Sequence, residues 1–322
     1  MIVTVTLNAA IDKTLAVPNF RIGRRHRSTE QQTMAGGKGV NVARALKTLG
    51  QPVIATGLAG GPTGTRISEQ LTEEAILSDF VRIREESRTS TAVIDPTTGE
   101  QTEINERGPE ATDVELSLFR EKLLYLAKGA DICVFAGSLP RSVGNSIYAE
   151  LVSELSTAGV TTVVDSEGEP MQLALRAGPD IVSPNTTEAE ALVGHEFRDE
   201  QDHLFALYEL CELGAREAII THSEGCYALV GRDHERALYS VRADALEPVS
   251  SIGAGDVFLA GYLAAAYSGR AHEDRLRFAV ACGAESTQHF GAGVLDPHEL
   301  GRFEEEVVVT RLEKPVAVDA PA

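Results

Sequence analysis

Residues 250–261 read SSIGAGDVFLAG, a glycine-rich turn that leads at once into a helical pattern. The start of a helix attracts anions, because its first N–H groups lack partners within the helix and its dipole is positive there. Asp256 stands at this joint and has two interpretations. It is either a helix cap, worth about 1 kcal/mol, or a proton acceptor beside a bound phosphate.

The composition excludes several classes of protein. The chain has 322 residues, is 43% hydrophobic and carries a net charge of −19, which argues against nucleic acid or an anionic membrane as partner. No apolar run approaches the roughly 18 residues that span a bilayer, and MIVTVTL lacks a basic leader, so we expect a cytoplasmic protein. An anionic ligand would then need a few local basic groups and backbone amides.

Strand-like and helix-like patterns alternate along most of the chain. This alternation predicts an α/β fold in which helices cover both faces of a mostly parallel sheet. The predicted strands are 3–7, 52–56, 131–135, 161–165, 180–182 and 218–221, and the predicted helices include 40–49, 114–127, 146–158, 254–267 and 271–288. We expect one domain over residues 1–313 and a frayed tail over 314–322.

Two segments, at about residues 13–33 and 89–107, interrupt the alternation. The second predicts a β-hairpin, in which residues 91–94 and 101–104 are joined by the turn Asp95-Pro96-Thr97-Thr98-Gly99. The two segments are expected to form a small sheet that projects as a lid.

Polar and glycine-rich residues follow the predicted strands, where parallel sheets bind their ligands. They are Asn8 and Asp12, residues 57–61, 137–140, Asp165 and Ser166, Asn185 and Glu188, residues 221–223, and 251–256. Turns are commonly rich in these residue types, so only the whole set predicts a site. The stretch Ala35-Gly36-Gly37-Lys38-Gly39 leads into a helix, but no Ser or Thr follows Lys38, which excludes a Walker loop.

Six motifs together resemble the ribokinase-like sugar kinases of the phosphofructokinase B (PfkB) family, and most closely its hexose-phosphate branch. They are TVTLN with Asp12, GGKGVNVA from Gly36, TEIN from Thr102, GSLP from Gly137, Pro184-Asn185 with Glu188, and GAGD from Gly253. Their order matches the family from residue 4 to about residue 312. The resemblance implies a three-layer α/β/α fold with a small β-sheet lid.

The resemblance also implies roles in catalysis. Asp256 would be the base that takes the proton from the attacking hydroxyl, with Gly253, Ala254 and Gly255 as the anion hole. Asn185 and Glu188 would place the Mg²⁺ of Mg-ATP through water, although an Asn cap with a first-turn Glu explains the same pattern. Further contacts to ATP would come from Thr221, Ser223 and Gly225, but the turn 221–226 and Ser183 depart from the family pattern.

Sugar binding is the remaining implied role. The matching residues are Asp12, Gly37, Lys38 and Asn41 for the sugar, with Arg88 and Ser138 for its phosphate. Arg24 lies near a basic position of related enzymes, and Arg25 or Arg27 can serve instead. These arginines supply local positive charge in an acidic chain.

The implied activity is ATP-dependent phosphorylation of a ketohexose monophosphate, with fructose 1-phosphate as first choice. Tagatose 6-phosphate, fructose 6-phosphate and a non-catalytic sensor remain alternatives, because a fold does not by itself determine a function. The expected partners are the sugar phosphate, ATP and a second copy of the chain, paired through the lid.

Overall fold

The apolar stretches form strands in the computed structural model, which describes residues 1–232, 235–243 and 247–314. The strands are β1 (Ile2–Thr6), β2 (Ala10–Ala16), β3 (Glu30–Gly36), β4 (Val53–Gly60), β5 (Leu77–Ile83), β6 (Arg88–Ile94), β7 (Gln101–Asn105), β8 (Ile132–Ala136), β9 (Thr161–Asp165), β10 (Ile181–Val182), β11 (Glu217–His222), β12 (Gly225–Val230), β13 (Ala237–Arg242) and β14 (Val308–Leu312).

These strands form two sheets in the described part of the chain. The large sheet has the order β14-β13-β12-β11-β10-β9-β8-β1-β4-β5, and the small sheet has the order β3-β2-β6-β7. Strands β11, β10, β9, β8, β1, β4 and β5 are parallel, whereas β12, β13 and β14 extend one edge antiparallel. The chain first builds outward from β1 to β5 and later from β8 to β14, so the direction of winding reverses beside β1.

The helices cover both faces of the large sheet. They are α1 (Lys38–Thr48), α2 (Gly61–Glu73), α3 (Asp113–Ala127), α4 (Ile147–Thr157), α5 (Gly168–Arg176), α6 (Thr186–Val193), α7 (Glu200–Glu212), α8 (Ala254–Tyr267), α9 (His272–Ser286) and α10 (Leu300–Glu306).

Two hydrophobic clusters separate these layers. One contains buried residues of α1, α2, α8, α9 and α10, and the other contains buried residues of α3 to α7. Neighbouring residues of β1 alternate between the clusters: Ile2 belongs to the first, Val3 and Val5 to the second. The sheet is therefore buried on both faces, which confirms the predicted three-layer α/β arrangement. We propose that residues 1–313 form one domain, because both clusters share this sheet.

The small sheet joins the two segments that interrupt the alternation. The hairpin of β6 and β7 is confirmed, with Ser90 opposite Asn105. Strand β2 pairs antiparallel with β3 and parallel with β6. Strands β2 and β3 contain many polar residues and no apolar run, so the sequence did not predict their bounds.

Predicted element bounds agree with the structure to within a few residues, and the helix over 254–267 agrees at both ends. Strand β5 was missed, because Leu77, Phe80 and Val81 do not alternate regularly with polar residues. Apart from Lys314, the expected tail lies outside the described residues. No helix in the described ranges is long and apolar enough to cross a membrane.

Helix α1 lies very close to β1, and Gly39 makes this approach possible. A Cβ at Gly39 would stand 2.4 Å from Thr6 Oγ1 and 2.7 Å from the carbonyl oxygen of Val5. These distances are well inside van der Waals contact, so a larger residue would push the helix away from the sheet.

We predict that Gly39→Ala lowers the free energy of unfolding by about 1 to 3 kcal/mol, because it overpacks this contact. The matched control is Gly301→Ala in α10, where an added Cβ meets nothing within 4 Å. The control should raise stability by up to about 1 kcal/mol, since alanine favours helix more than glycine. Urea denaturation of both variants measures the difference, and equal effects would contradict the packing argument.

Candidate active site

A cavity of about 700 Å³ opens at the carboxyl edge of the large sheet, under the small sheet. It lies where the direction of winding reverses, between the ends of β1 and β8, as expected for an open parallel sheet. Twelve of the residues predicted for the site line it: Asp12, Gly37, Lys38, Asn41, Arg88, Ser138, Asn185, Glu188, Thr221, Gly253, Gly255 and Asp256.

Four residues predicted for the site do not line the cavity. Arg24 is exposed in the loop between β2 and β3. Ser223 lies in the turn after β11, and Gly225 pairs with Arg242 between β12 and β13. The amide of Ala254 donates a hydrogen bond to the carbonyl oxygen of Ser251 within the turn. Motif position along the chain does not show which side of a turn faces the ligand, so Ser223, Gly225 and Ala254 were predicted with their neighbours. Arg24 was predicted only because it lies near a basic position of related enzymes.

Asp256 is not a helix cap. Gly253, with φ 75°, is the N-cap of α8, and no side chain caps that helix. The carboxylate of Asp256 instead accepts a hydrogen bond of 2.8 Å from Asn41 Nδ2 on α1. The amides of Gly255 and Asp256, in the first turn of α8, are consequently available to an anion in the cavity.

Burial, together with the negative charge of Asp165, raises the pKa of Asp256 to about 8. The positive charge of Lys38 and the hydrogen bond from Asn41 act in the opposite direction. A carboxyl group with a pKa near neutrality can both accept and release a proton under ordinary conditions. This property suits a general base better than a structural acid.

Lys38 joins three acidic side chains across the cavity. Its Nζ donates to Asp165 Oδ1 at 2.9 Å and to Glu188 Oε1 at 3.3 Å, and Asp256 adds a third negative charge nearby when it is ionised. These carboxylates hold the pKa of Lys38 above its usual range, although its burial opposes them. The sequence places Asp165 at a strand end but indicates no role for it, because only the folded chain brings it to Lys38.

Asn185 and Glu188 form a capping box at the start of α6, as the local alternative predicted. Asn185 Oδ1 accepts from the amide of Glu188 at 2.9 Å, and Glu188 Oε2 accepts from the amide of Asn185 at 2.9 Å. Within the described ranges, no group of three or more His, Cys, Asp or Glu side chains could hold a metal ion. A single carboxylate with free lone pairs still fits Mg²⁺ that keeps most of its water shell.

The opposite end of the cavity is basic. Arg88 begins β6, and its guanidinium donates to the carbonyl oxygens of Asn8 and Glu106, each at 3.2 Å. Arg107 and Arg141 also line this end, and neither was singled out from the sequence, since both stand in loops without a pattern. Glu85 and Glu110 pair with Arg141 and offset part of this charge. The three guanidinium groups are still the local cations that an acidic chain needs to bind an anion.

Asp12 and Ser138 lie beside this basic end. Asp12 Oδ2 accepts a hydrogen bond of 3.4 Å from the amide of Gly37. Burial raises the pKa of Asp12, whereas that bond and the charges of Arg88 and Arg44 lower it. Asn8 Nδ2 donates to Ser138 Oγ at 3.1 Å, which connects the ends of β1 and β8. Carboxylate, hydroxyl and amide groups here can bind the hydroxyl groups of a polar ligand.

Comparisons with known proteins agree with this geometry. Residues 4–299 match the family model described as pfkB family carbohydrate kinase. The chain is 32% identical to 1-phosphofructokinase of Borreliella burgdorferi over 284 residues, which cover 88% of this chain and 90% of that protein. It is also 32% identical to a tagatose-6-phosphate kinase of Staphylococcus epidermidis over 287 residues, covering 88% and 91%.

A solved structure supports the fold. Phosphofructokinase-2 from Escherichia coli, in complex with substrates and products, superposes with a TM-score of 0.87 at 27% identity, covering 94% of this chain and 98% of that one. The predicted layered fold with its small sheet is thereby confirmed, as is the resemblance stated from the motifs.

We predict that Asp256→Asn stabilises the folded protein above neutral pH. Between about pH 4 and pH 8 the folded wild type keeps a proton on Asp256 that the unfolded chain, with a pKa near 3.8, has already lost. The free energy of unfolding of the wild type therefore falls as pH rises from about 4 to about 8. The variant has no carboxyl group at this position, so its stability does not fall for this reason.

Melting temperatures between pH 5.5 and 9 measure the effect. The variant minus wild-type difference should grow up to about pH 8 and then level off. Asp274→Asn, an exposed first-turn acid of α9, is the matched control and should show no such trend. A difference for Asp256→Asn that does not change with pH would contradict the raised pKa.

Proposed function

Because the chain belongs to the pfkB family of carbohydrate kinases, we propose that it transfers the γ-phosphate of ATP to a ketohexose monophosphate. The proposed reaction converts fructose 1-phosphate into fructose 1,6-bisphosphate. Sugar-phosphate kinases of this kind are phosphotransferases with an alcohol group as acceptor.

One observation carries the mechanism: a buried carboxyl group with a pKa near 8 stands at the uncapped start of α8. Asp256 takes the proton of the attacking hydroxyl while the phosphoryl group moves in line from ATP. The amides of Gly253 and Gly255, at the start of α8, stabilise the negative charge of the transferred group. Asp256 thus receives the proton and returns it to solvent after the product leaves.

The donor end of the cavity lies near α6. We assign Asn185 and Glu188 to the hydrated Mg²⁺ of Mg-ATP, whose charge would screen the phosphates against the acidic residues around Lys38. Thr221, which forms a bridge with Asn185, lies at the same end of the cavity and is a further contact to ATP. Ser183 also lines this wall, where related enzymes carry a lysine, so less positive charge comes from the protein itself.

The acceptor end binds the sugar phosphate. Asp12, Gly37 and Asn41 bind the sugar hydroxyls, and Lys38 lies between the sugar and the transferred phosphate. Arg88 and Ser138 bind the phosphate that the substrate already carries, helped by Arg107 and Arg141. Guanidinium groups match the geometry and charge of a phosphate, which an uncharged sugar lacks.

Tagatose 6-phosphate is a second candidate substrate, because relatives named for it are as similar to the chain as those named for 1-phosphofructokinase. Fructose 6-phosphate fits the same groups. A non-catalytic sensor is disfavoured, since it would not need the buried, protonatable Asp256.

The assembly and location are also part of the proposal. The small sheet has two edge strands, β3 and β7, and Ile104 on β7 is 61% exposed. Such an edge favours pairing with a second copy, so we propose a homodimer through the small sheet. A cytoplasmic location would give the enzyme access to ATP.

The experiment that tests the function measures ADP release by the purified protein with Mg-ATP and each sugar phosphate in turn. We expect the highest kcat/KM for fructose 1-phosphate, ahead of tagatose 6-phosphate and fructose 6-phosphate. A higher kcat/KM for one of the other two sugar phosphates would make that sugar phosphate the proposed substrate. Turnover of none of the three would overturn it.

We predict that Asp256→Asn lowers kcat by at least about 100-fold and changes KM for the sugar phosphate little, because it removes a base and keeps the shape. Asp274→Asn should keep wild-type kcat, which controls for the loss of one acid. Steady-state kinetics with the preferred sugar phosphate measures both. An unchanged kcat in Asp256→Asn would rule out the proposed base.

A further inference from the structure

Arg44, on α1, is a buried guanidinium that no sequence motif singled out. It is 6% exposed, and each of its five N–H groups has an acceptor. Nε and Nη2 bind the carboxylate of Glu74, at the end of α2. Nη2 also donates to the carbonyl oxygen of Ala35 at 2.6 Å, and Nη1 donates to that of Ala292 at 3.4 Å.

The fifth contact leads to the proposed catalytic centre. Arg44 Nη1 donates to Asn41 Oδ1 at 3.2 Å, and Asn41 Nδ2 donates to Asp256 Oδ2 at 2.8 Å. A chain of hydrogen bonds thus runs from Glu74 near the surface through Arg44 and Asn41 to Asp256. Every donor along it meets an acceptor.

Arg44 determines which way the amide of Asn41 faces. If that amide turned over, its NH₂ group would meet the guanidinium, donor against donor. Its oxygen would then meet the carboxylate of Asp256, acceptor against acceptor, unless Asp256 carried a proton. With Arg44 in place, the amide therefore offers its N–H to Asp256 and favours the ionised carboxylate.

We infer that Arg44 is a positioning residue, which orients Asn41 so that Asp256 is held ready to accept a proton. The inference rests on the role proposed for Asp256. The loop at residues 291–293 supports it, because a Cβ at Gly293 would lie 2.9 Å from Asn41 Cα. Arg44 bonds to Ala292 in that loop, so it also holds the loop against Asn41.

The charged groups around this chain are few. Asp256 is faced by Lys38 from α1, Asp165 from β9 and Asp12 from β2, besides its bond with Asn41. Arg44 is faced by Glu74, and its charge also acts on Asp12. Of these groups, only Asn41 connects Arg44 to Asp256 by hydrogen bonds.

The test is Arg44→Lys, which keeps a positive charge but cannot supply a fork of five donors. We expect kcat at neutral pH to fall about 10-fold. We also expect the acid limb of the plot of kcat against pH to move to higher pH by about 0.5 to 1 unit. The reason is that the hydrogen bond from Asn41, which lowers the pKa of Asp256, weakens. KM for the sugar phosphate should change less than kcat. Lys47→Gln, an exposed cation on the same helix, should leave the profile unchanged.

A double-mutant cycle separates positioning from general loss of packing. Asn41→Ala should move the acid limb in the same direction by itself, and adding Arg44→Lys to it should produce little further shift. Additive shifts, or an unmoved limb in Arg44→Lys, would overturn the inference. If Arg44→Lys does not fold, Asn41→Ala carries the test, and an unmoved limb there has the same consequence.

The outcome is distinguishable from failure of the proposed function. If Asp256→Asn remains active, the role of Asp256 is wrong, and the positioning role is lost with it. If Asp256→Asn is inactive while Arg44→Lys keeps the wild-type pH profile, only the inference about Arg44 fails.

Discussion

The ion cluster around Lys38 is the interaction on which the cavity depends. Burying three carboxylates together would be prohibitive without a cation, because each loses its hydration and repels the others. The ammonium of Lys38 binds Asp165 and Glu188 and lowers the pKa of Asp256. One side chain thereby connects the starts of α1 and α6 with the end of β9, and it acts on the first turn of α8.

This cluster is incompletely neutralised, and the imbalance explains the state of Asp256. Two carboxylates take the hydrogen bonds of Lys38, so Asp256 must rely on Asn41 and keeps a raised pKa. Removing its charge is expected to stabilise the fold while removing the base. The carboxyl group of Asp256 therefore lowers stability while serving the proposed catalysis, a trade-off that is common at active sites.

Close backbone approach provides the second constraint. Gly39 lets α1 lie against β1, which brings Lys38 and Asn41 to the cavity at the carboxyl edge of the sheet. The small sheet contributes Asp12 and Arg88 from β2 and β6, whose pairing fixes their separation. Proposed donor and acceptor ends thus come from different elements, held together by the meeting of α1 with both sheets.

The sequence alone determined the alternation of strands and helices, and hence the layered fold, because burial on both faces of a parallel sheet requires long apolar strands. It also predicted twelve residues that line the cavity. Most of them follow strands, whose ends share one edge of a parallel sheet, whereas Gly37, Lys38, Asn41 and Arg88 came from the family resemblance. Only the tertiary structure showed that Asp256 bonds to Asn41 rather than capping its helix, that Asp165 meets Lys38, and that Arg24 lies elsewhere. Local patterns specify backbone conformation, whereas the partner of a buried charge depends on which distant segments pack beside it.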